Sequence, residues 1–263
     1  MSNSTRPAAL VTGASAGIGK SFATHLARTG HDLVLVARRA DRLEALAEEL
    51  CEAHDIVVEV LPADLETPEG VTAVEARLAE GDPIDLFVNN AGFAARGAVG
   101  GLDAAALESM IRVNVLAFAR LANAAAARMR SEGRGTIINV GSGTLFMQFA
   151  GNAGYGATKA FVAYFTRTMQ LDLADSGVRV QLLIPGVIAT DFHAVAGNAI
   201  ENFPPERVMQ ADDLVVASLR ALEMEEPVCI PSLPDIRDWE AYMAAEAKIA
   251  PNSSRDRTAD RYH

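Results

Sequence analysis

Ala8-Ala9-Leu10-Val11-Thr12-Gly13-Ala14-Ser15-Ala16-Gly17-Ile18-Gly19 joins a short apolar run to a glycine-rich segment. The run reads as a buried strand, the glycines as a tight turn, and the residues beyond as the start of a helix. Such a junction presents free backbone N–H groups, at the positive end of the helix, to a phosphate. Gly13 permits the turn, Gly17 lets a pyrophosphate approach the backbone, and Gly19 lets the helix lie close on the sheet. Ser15, Ala16 and Ile18 complete the candidate contacts. The glycine spacing is G-x-x-x-G-x-G and departs from the general G-x-G-x-x-G fingerprint. In an Ala/Gly-rich chain such triplets also arise for purely structural reasons.

Working outward, strand and helix alternate almost throughout. Strands are expected at 8–12, 32–37, 57–61, 84–89, 135–140, 178–184 and 228–231. Helices are expected near 17–29, 41–53, 68–80, 104–131, 153–176 and 212–223. This alternation predicts a parallel sheet with helices on both faces. Asp41 with Glu44 reads as a capping box opening the second helix. A chain of 263 residues with 50% hydrophobic content suits one such α/β domain, placed at 1–231. The segment 187–210 is longer than an ordinary connection and reads as a functional loop. The tail, 232–263, mixes charges and is a candidate for partial disorder.

The net charge of −11 argues against nucleic acid or an anionic membrane as the main partner. Cys51 and Cys229 are the only cysteines, too few for a disulfide framework or a thiolate metal site, and the five histidines show no metal-ligand spacing. No metal site is expected. The first seven residues do not read as a signal peptide, and no apolar run reaches the ~20 residues of a membrane span. A cytoplasmic protein is the expectation. His193 falls in the long loop and reads as an exposed loop histidine, with substrate contact as the alternative.

Tyr155-Gly156-Ala157-Thr158-Lys159 carries the chemistry. A spacing of four puts phenol and ammonium on one helix face, in a chain with only three lysines and four tyrosines. A tyrosine titrates near pH ~10, and a fixed cation beside it would bring the phenol towards the working range. Ser142, upstream in Asn139-Val140-Gly141-Ser142-Gly143, offers a hydroxyl that can hold the oxygen of an alcohol or carbonyl.

Together with Asn89-Asn90-Ala91-Gly92, Asn114 and Pro185-Gly186, these segments resemble the short-chain dehydrogenase/reductase family, in order and at its usual spacings, from about Ala8 to Pro231. The resemblance implies a single Rossmann-type, doubly wound domain with a seven-stranded parallel sheet. It further implies a nicotinamide cofactor, hydride transfer at a carbon–oxygen centre, and a homodimer or homotetramer. Tyr155, Lys159, Ser142 and Asn114 would be the catalytic set, with Tyr155 and Lys159 also touching the cofactor. In the family the matching asparagine distorts its helix and helps hold a water leading to the lysine; a merely buried, hydrogen-bonded side chain is the alternative. Asn90, Ala91 and Gly92 would flank the adenosine half. Pro185, Gly186, Val187 and Ile188 would pack on the nicotinamide, with Thr190 reaching its amide or phosphate. Asp64 and Leu65 match the adenine contact, with turn capping by Asp64 as the alternative. Gly141 stands where relatives often carry a serine, and Thr158 where a serine commonly precedes the lysine.

The second strand ends Ala37-Arg38-Arg39, with no acid before Asp41. An acid there would hold the ribose hydroxyls of NAD, whereas guanidiniums suit a 2′-phosphate. The expected cofactor is therefore NADP(H), as in NADP-preferring bacterial members. The expected function is interconversion of a carbonyl and a secondary alcohol, on a small neutral and hydrophobic substrate. A non-catalytic NADP(H)-binding regulatory or interaction protein on the same fold is the competing class, and a binding role alone would not require a proton donor. An epimerase or dehydratase is a third.

Overall fold

The computed structural model describes residues 6–195 and 199–263, without the side chains at 194 and 195. Residues 196–198 of the expected functional loop therefore lie outside the described residues. The chain divides into two compact units, Met1–Pro231 and Ser232–His263.

The first unit follows the alternation read from sequence. Its strands and helices run β1 (Ala8–Thr12), α1 (Gly17–Arg28), β2 (Asp32–Ala37), α2 (Ala40–Ala53), β3 (Val58–Pro62), α3 (Pro68–Ala79) and β4 (Leu86–Asn89). Then come α4 (Ala104–Ile111), a π-helical turn (Arg112–Ala117), α5 (Phe118–Glu132), β5 (Gly135–Val140), α6 (Ala153–Asp172) and β6 (Val178–Leu183). Beyond them lie β7 (Val187–Ile188), α7 (Phe192–Val195), β8 (Val208–Met209), α8 (Ala211–Glu223) and β9 (Val228–Cys229). The main sheet has seven parallel strands in the order β3-β2-β1-β4-β5-β6-β9. Its central strands are buried on both faces, which is why they read as continuous apolar runs.

Alternate residues feed two separate cores. Ala9, Val11, Leu33, Leu35, Val88 and Ile138 pack with α1, α2 and α8 through Phe22, Leu43 and Leu214. Leu10, Val34, Val36, Phe87 and Ile137 pack on the other side with α3 and α5 through Val74, Leu121 and Met129. This period of two is the geometry of a pleated strand covered on both faces. The order reverses between β1 and β4, so a crevice opens at their carboxyl ends, where the glycine turn lies.

Three expectations need correction. Helix α2 starts at Ala40 with Arg39 at its N-cap and no side-chain capping bond. Asp41 thus lies in the first turn, where it faces the positive end of the helix dipole, and forms no capping box. The single helix expected at 104–131 is interrupted by the π turn that holds Asn114. By length and composition, 104–132 also qualifies as a helix able to cross a membrane. Here it packs on the sheet through Ala117, Leu121, Ala122, Ala125 and Met129. The loop after β6 is tied by a small parallel pairing, Val187↔Val208 and Ile188↔Met209.

In the second unit, helix α9 (Ile236–Ile249) occupies a stretch where the sequence reading drew no element. Asp235 caps it by accepting from the Arg237 N–H at 3.0 Å, and Trp239 stacks on Tyr242 one turn later.

Candidate active site

At the switch point, β1 hands over to α1 through two left-handed glycines, Gly13 (φ 69°) and Gly17 (φ 54°). Ala16 is the N-cap of α1, with no side-chain capping bond and no acid in the first turn. The helix N-terminus therefore keeps its N–H groups free for an anion. Thr190 closes over this turn, its side chain within 3.1 Å of the place a Cβ on Gly17 would occupy, closer than ordinary van der Waals contact. A Cβ on Gly19 would collide with the Gly13 carbonyl, so Gly19 works by allowing close packing.

Thr12 ties this turn to the next. Its Oγ1 donates to the Val88 carbonyl at 3.2 Å and accepts from the N–H groups of Asn90 and Ala91 at 3.0 and 3.1 Å. Asn90 Nδ2 donates back to the Thr12 carbonyl at 2.8 Å. Asn90-Ala91-Gly92 is thus pinned at the end of β4, beside the glycine turn.

One cleft runs across these ends. Every residue assigned from sequence borders it except Gly19 and Asn114, which lie behind its wall. At one end stand Arg38, Arg39 and Arg42, with Asp64 and Leu65 across from them in the lining. Arg39 donates to Ser15 Oγ at 3.0 Å. None of the three arginines forms an ion pair among the described residues. Arg42 has no role in the sequence reading; the signal available was a third guanidinium one turn into α2. Asp64 caps the following turn, accepting from the Glu66 N–H at 3.0 Å, while still lining the cleft.

At the other end lie Ser142, Tyr155 and Lys159. Helix α6 places Tyr155 and Lys159 on one buried face, 8% and 6% exposed. Ser142, beyond β5, borders the cleft with Tyr155, where its hydroxyl pulls the phenol pKa down, and it accepts from the Thr144 N–H at 3.3 Å. Lys159 Nζ donates to the Val140 carbonyl at 2.8 Å and sits 5.9 Å from the Tyr155 ring centroid. Burial pushes the phenol up to about 12, against the pull of the Ser142 hydroxyl and the Arg96 charge. Burial also drives the Lys159 ammonium down to about 8. The phenol therefore does not come down towards the working range in the cofactor-free protein: desolvation outweighs the groups that favour the phenolate, and Tyr155 is held as a protonated donor.

Asn114, 1% exposed, braces the wall of the cleft. Its Oδ1 accepts from the Phe93 N–H at 3.1 Å, and its Nδ2 donates to the Phe93 carbonyl at 2.8 Å and to Thr158 Oγ1 at 3.1 Å. Thr158 Oγ1 in turn donates to the Tyr155 carbonyl at 2.8 Å. The chain of bonds links the Gly92 turn to the catalytic helix, a role of Thr158 with no signal in sequence beyond its place before Lys159.

His193 corrects another expectation. It is 8% exposed and borders the cleft, in edge contact with Phe192 (5.6 Å) and close to Phe203 (4.9 Å). Burial, then the Arg96 charge, hold its imidazole below the usual histidine range, so it is neutral at pH 7. Phe192 also packs on Tyr155 at 5.7 Å, and with Phe93, Met147 and Phe149 this end of the cleft is largely apolar. Among the described residues no cluster of His, Cys, Asp or Glu could hold a metal ion.

The residues fit an elongated ligand carrying phosphates: a helix N-terminus with free N–H groups at its middle and unpaired guanidiniums at one end. Comparison with known proteins agrees with that geometry. The family model for short chain dehydrogenase matches residues 7–200. A short-chain dehydrogenase from Sphingobium yanoikuyae, solved in complex with NADPH, is 40% identical, with 98% of this chain and 100% of that one covered and a TM-score of 0.94. The bulky-bulky ketone specific alcohol dehydrogenase from Comamonas testosteroni is 35% identical over 98% of this chain and 99% of that one, with a TM-score of 0.89. An NADP-dependent 3-hydroxy acid dehydrogenase of Schizosaccharomyces pombe is 32% identical, covering 84% of this chain and 88% of that protein. A doubly wound sheet, a phosphate turn at its switch point and this extent of likeness lead to one assignment: the chain belongs to the short-chain dehydrogenase family and is an oxidoreductase acting between carbonyl and alcohol.

Proposed function

We propose that the protein is an NADP(H)-dependent reductase of neutral, hydrophobic ketones or aldehydes, reversible to the secondary alcohol, with Tyr155 as proton donor and acceptor. The observation that carries this reading is the buried Tyr155 phenol, sharing with Ser142 the apolar end of a cleft whose far end holds three guanidiniums without ion pairs among the described residues. When bound, the nicotinamide supplies the hydride that the carbonyl carbon receives.

Arg38, Arg39 and Arg42 would grip the 2′-phosphate that distinguishes NADP(H) from NAD(H). The N-terminus of α1, around Ser15, Ala16, Gly17 and Ile18, would hold the pyrophosphate. Asp64 and Leu65 would border the adenine, and Asn90, Ala91 and Gly92 the adenosine ribose side. Pro185, Gly186, Val187, Ile188 and Thr190 would form the wall against the nicotinamide. The NADPH complex of the Sphingobium relative supports this choice of cofactor.

In reduction, the substrate oxygen accepts hydrogen bonds from Tyr155 Oη and Ser142 Oγ. As negative charge grows on that oxygen, Tyr155 Oη transfers its proton to it. Lys159, fixed by the Val140 carbonyl, contributes a cation that stabilises the phenolate left behind and would hold the nicotinamide ribose. A phenol held near 12 in the resting protein favours the donor form at neutral pH. Asn114 positions the Phe93 backbone and Thr158, and supports the path by which Tyr155 is reprotonated. Phe93, Met147, Phe149 and Phe192 would enclose the substrate and exclude water, and the bulky ketones named for the Comamonas relative suit such a wall.

The exposed apolar residues Leu116, Tyr164 and Leu171 on the α4–α6 side support a homodimer or homotetramer, and two free cysteines suit a cytoplasmic location. The test of function is NADPH consumption across a panel of aryl and alkyl ketones, sugar phosphates and dicarboxylates. Turnover of the bulky ketones, with NADPH preferred to NADH, is expected. Tight NADPH binding without turnover of any compound would favour the non-catalytic alternative and refute this one.

A further inference from the structure

Arginines elsewhere in this protein are commonly engaged by carboxylates: Arg77 by Glu59, Arg120 by Glu75, Arg128 by Glu132 and Arg134 by Asp85. The four that line the cleft, Arg38, Arg39, Arg42 and Arg96, form no ion pair among the described residues. Three of them cluster at the 2′-phosphate end. Arg96 stands apart, at the substrate end, close enough for its charge to act on both the Tyr155 phenol and the His193 imidazole.

Its backbone is held on both sides. Phe93 is bonded through its N–H and carbonyl to Asn114, the Ala95 N–H donates to Met110 Sδ at 3.3 Å, and the Gly97 N–H donates to the Gly151 carbonyl at 3.1 Å. An exposed guanidinium on an anchored segment, in a wall otherwise largely aromatic, has its donors free for a ligand acceptor. The charge of that acceptor follows from the neighbours. Asp191 lines the same cleft, next in sequence to Thr190 and Phe192, and places a carboxylate in the lining that Arg96 shares. A carboxylate would meet Asp191 as a like charge; an uncharged carbonyl oxygen would not.

We propose that Arg96 is a specificity-determining residue that donates to a second carbonyl oxygen of the substrate, so that hydrophobic α- or β-keto esters and diketones are preferred to simple ketones. This deepens the carbonyl-reductase reading and rests on it. Arg96 and Tyr155 line one cleft, so the substrate must carry its second oxygen on the side facing Arg96 while the reacting carbonyl meets Tyr155.

The test compares the full-length wild type with Arg96→Met and Arg96→Lys on two matched pairs. These are ethyl benzoylacetate against propiophenone, and ethyl benzoylformate against the benzoylformate anion. The reading is the ratio of kcat/KM within each pair, so that the intrinsic reactivity of each compound cancels between proteins. In Arg96→Met the preference for ethyl benzoylacetate should fall by about tenfold, as for loss of one charge-assisted hydrogen bond, mainly through KM. Propiophenone turnover and NADPH affinity should change little, and Arg96→Lys should restore part of the preference. In the wild type the ester of benzoylformate should be preferred to the anion. An unchanged ratio in Arg96→Met, with both ketones still turned over, overturns the role of Arg96 alone. Parallel loss on both ketones with weakened NADPH binding shows a structural role and overturns it as well. Preference for the benzoylformate anion overturns the neutral-acceptor assignment, and reduction of none of the four compounds by the wild type removes the inference together with the reading beneath it.

Discussion

Lys159→Met should yield a protein that is more stable at neutral pH and inactive. The wild-type ammonium is 6% exposed, and burial lowers its pKa from 10.5 to about 8. Below pH 8 both the folded and the unfolded chain carry the proton, and the fold bears the whole cost of a desolvated charge. Between pH 8 and 10.5 the unfolded chain binds more protons than the folded one, so stability rises with pH, and above 10.5 the contribution is constant. At about 1.4 kcal/mol per pH unit, the interval corresponds to ~3 kcal/mol. Methionine keeps the length of the chain without the charge but leaves the Val140 carbonyl without its donor, a loss of about 1–3 kcal/mol. The net gain at pH 7 is therefore modest, while the change with pH is the distinctive signal. Tyr155 acts in the opposite sense only from pH 10 to about 12, where its raised pKa makes the folded chain the better proton binder. The assay is denaturation of cofactor-free protein at fixed concentration, followed by circular dichroism from pH 7 to 10. Wild-type stability should gain on Lys159→Met by about 2–3 kcal/mol across that range. Parallel profiles for the two proteins would refute the buried-charge account of Lys159.

Two further outcomes follow from the cleft and the surface. Replacing Arg38 and Arg39 together should weaken NADPH binding by about tenfold or more, since charge-assisted bonds to phosphate are lost, and leave NADH binding nearly unchanged; equal effects in a fluorescence titration would remove the 2′-phosphate assignment. Light scattering at micromolar concentration should give a mass above the 27.8 kDa of one chain, because Leu116, Tyr164 and Leu171 stand 54%, 71% and 78% exposed; a monomer would overturn the proposed assembly.

Much of the fold was legible because parallel strands buried on both faces are written as continuous apolar runs, as in Leu33-Val34-Leu35-Val36. The turn after Thr12 and the Tyr155–Lys159 pair were legible because each depends on local spacing alone. What escaped depends on distant contacts. The two-residue strands β7 and β8 are too short to show any period, and their pairing brings together Val187 and Val208 across the whole loop. Helix α9 has no buried residue, and its charges masked a helical spacing that Ile236, Trp239 and Met243 do carry. The inward turn of His193 is decided by how its loop folds, which brings Phe203 against the ring. The direction of the Tyr155 shift was misread for a related reason. Sequence places a cation on the same helix face, but desolvation depends on how deeply the fold buries both groups.

The most direct measurement on the central claim is Tyr155→Phe, which removes one oxygen from a side chain that keeps its packing against Phe192. With the best ketone of the panel, single-turnover reduction should slow by about a hundredfold or more, the usual worth of a positioned general acid. NADPH affinity by fluorescence should stay close to that of the wild type, because the phosphate contacts lie elsewhere in the cleft. Retention of more than about a tenth of the wild-type rate with NADPH bound would contradict the assignment of Tyr155 as the proton donor.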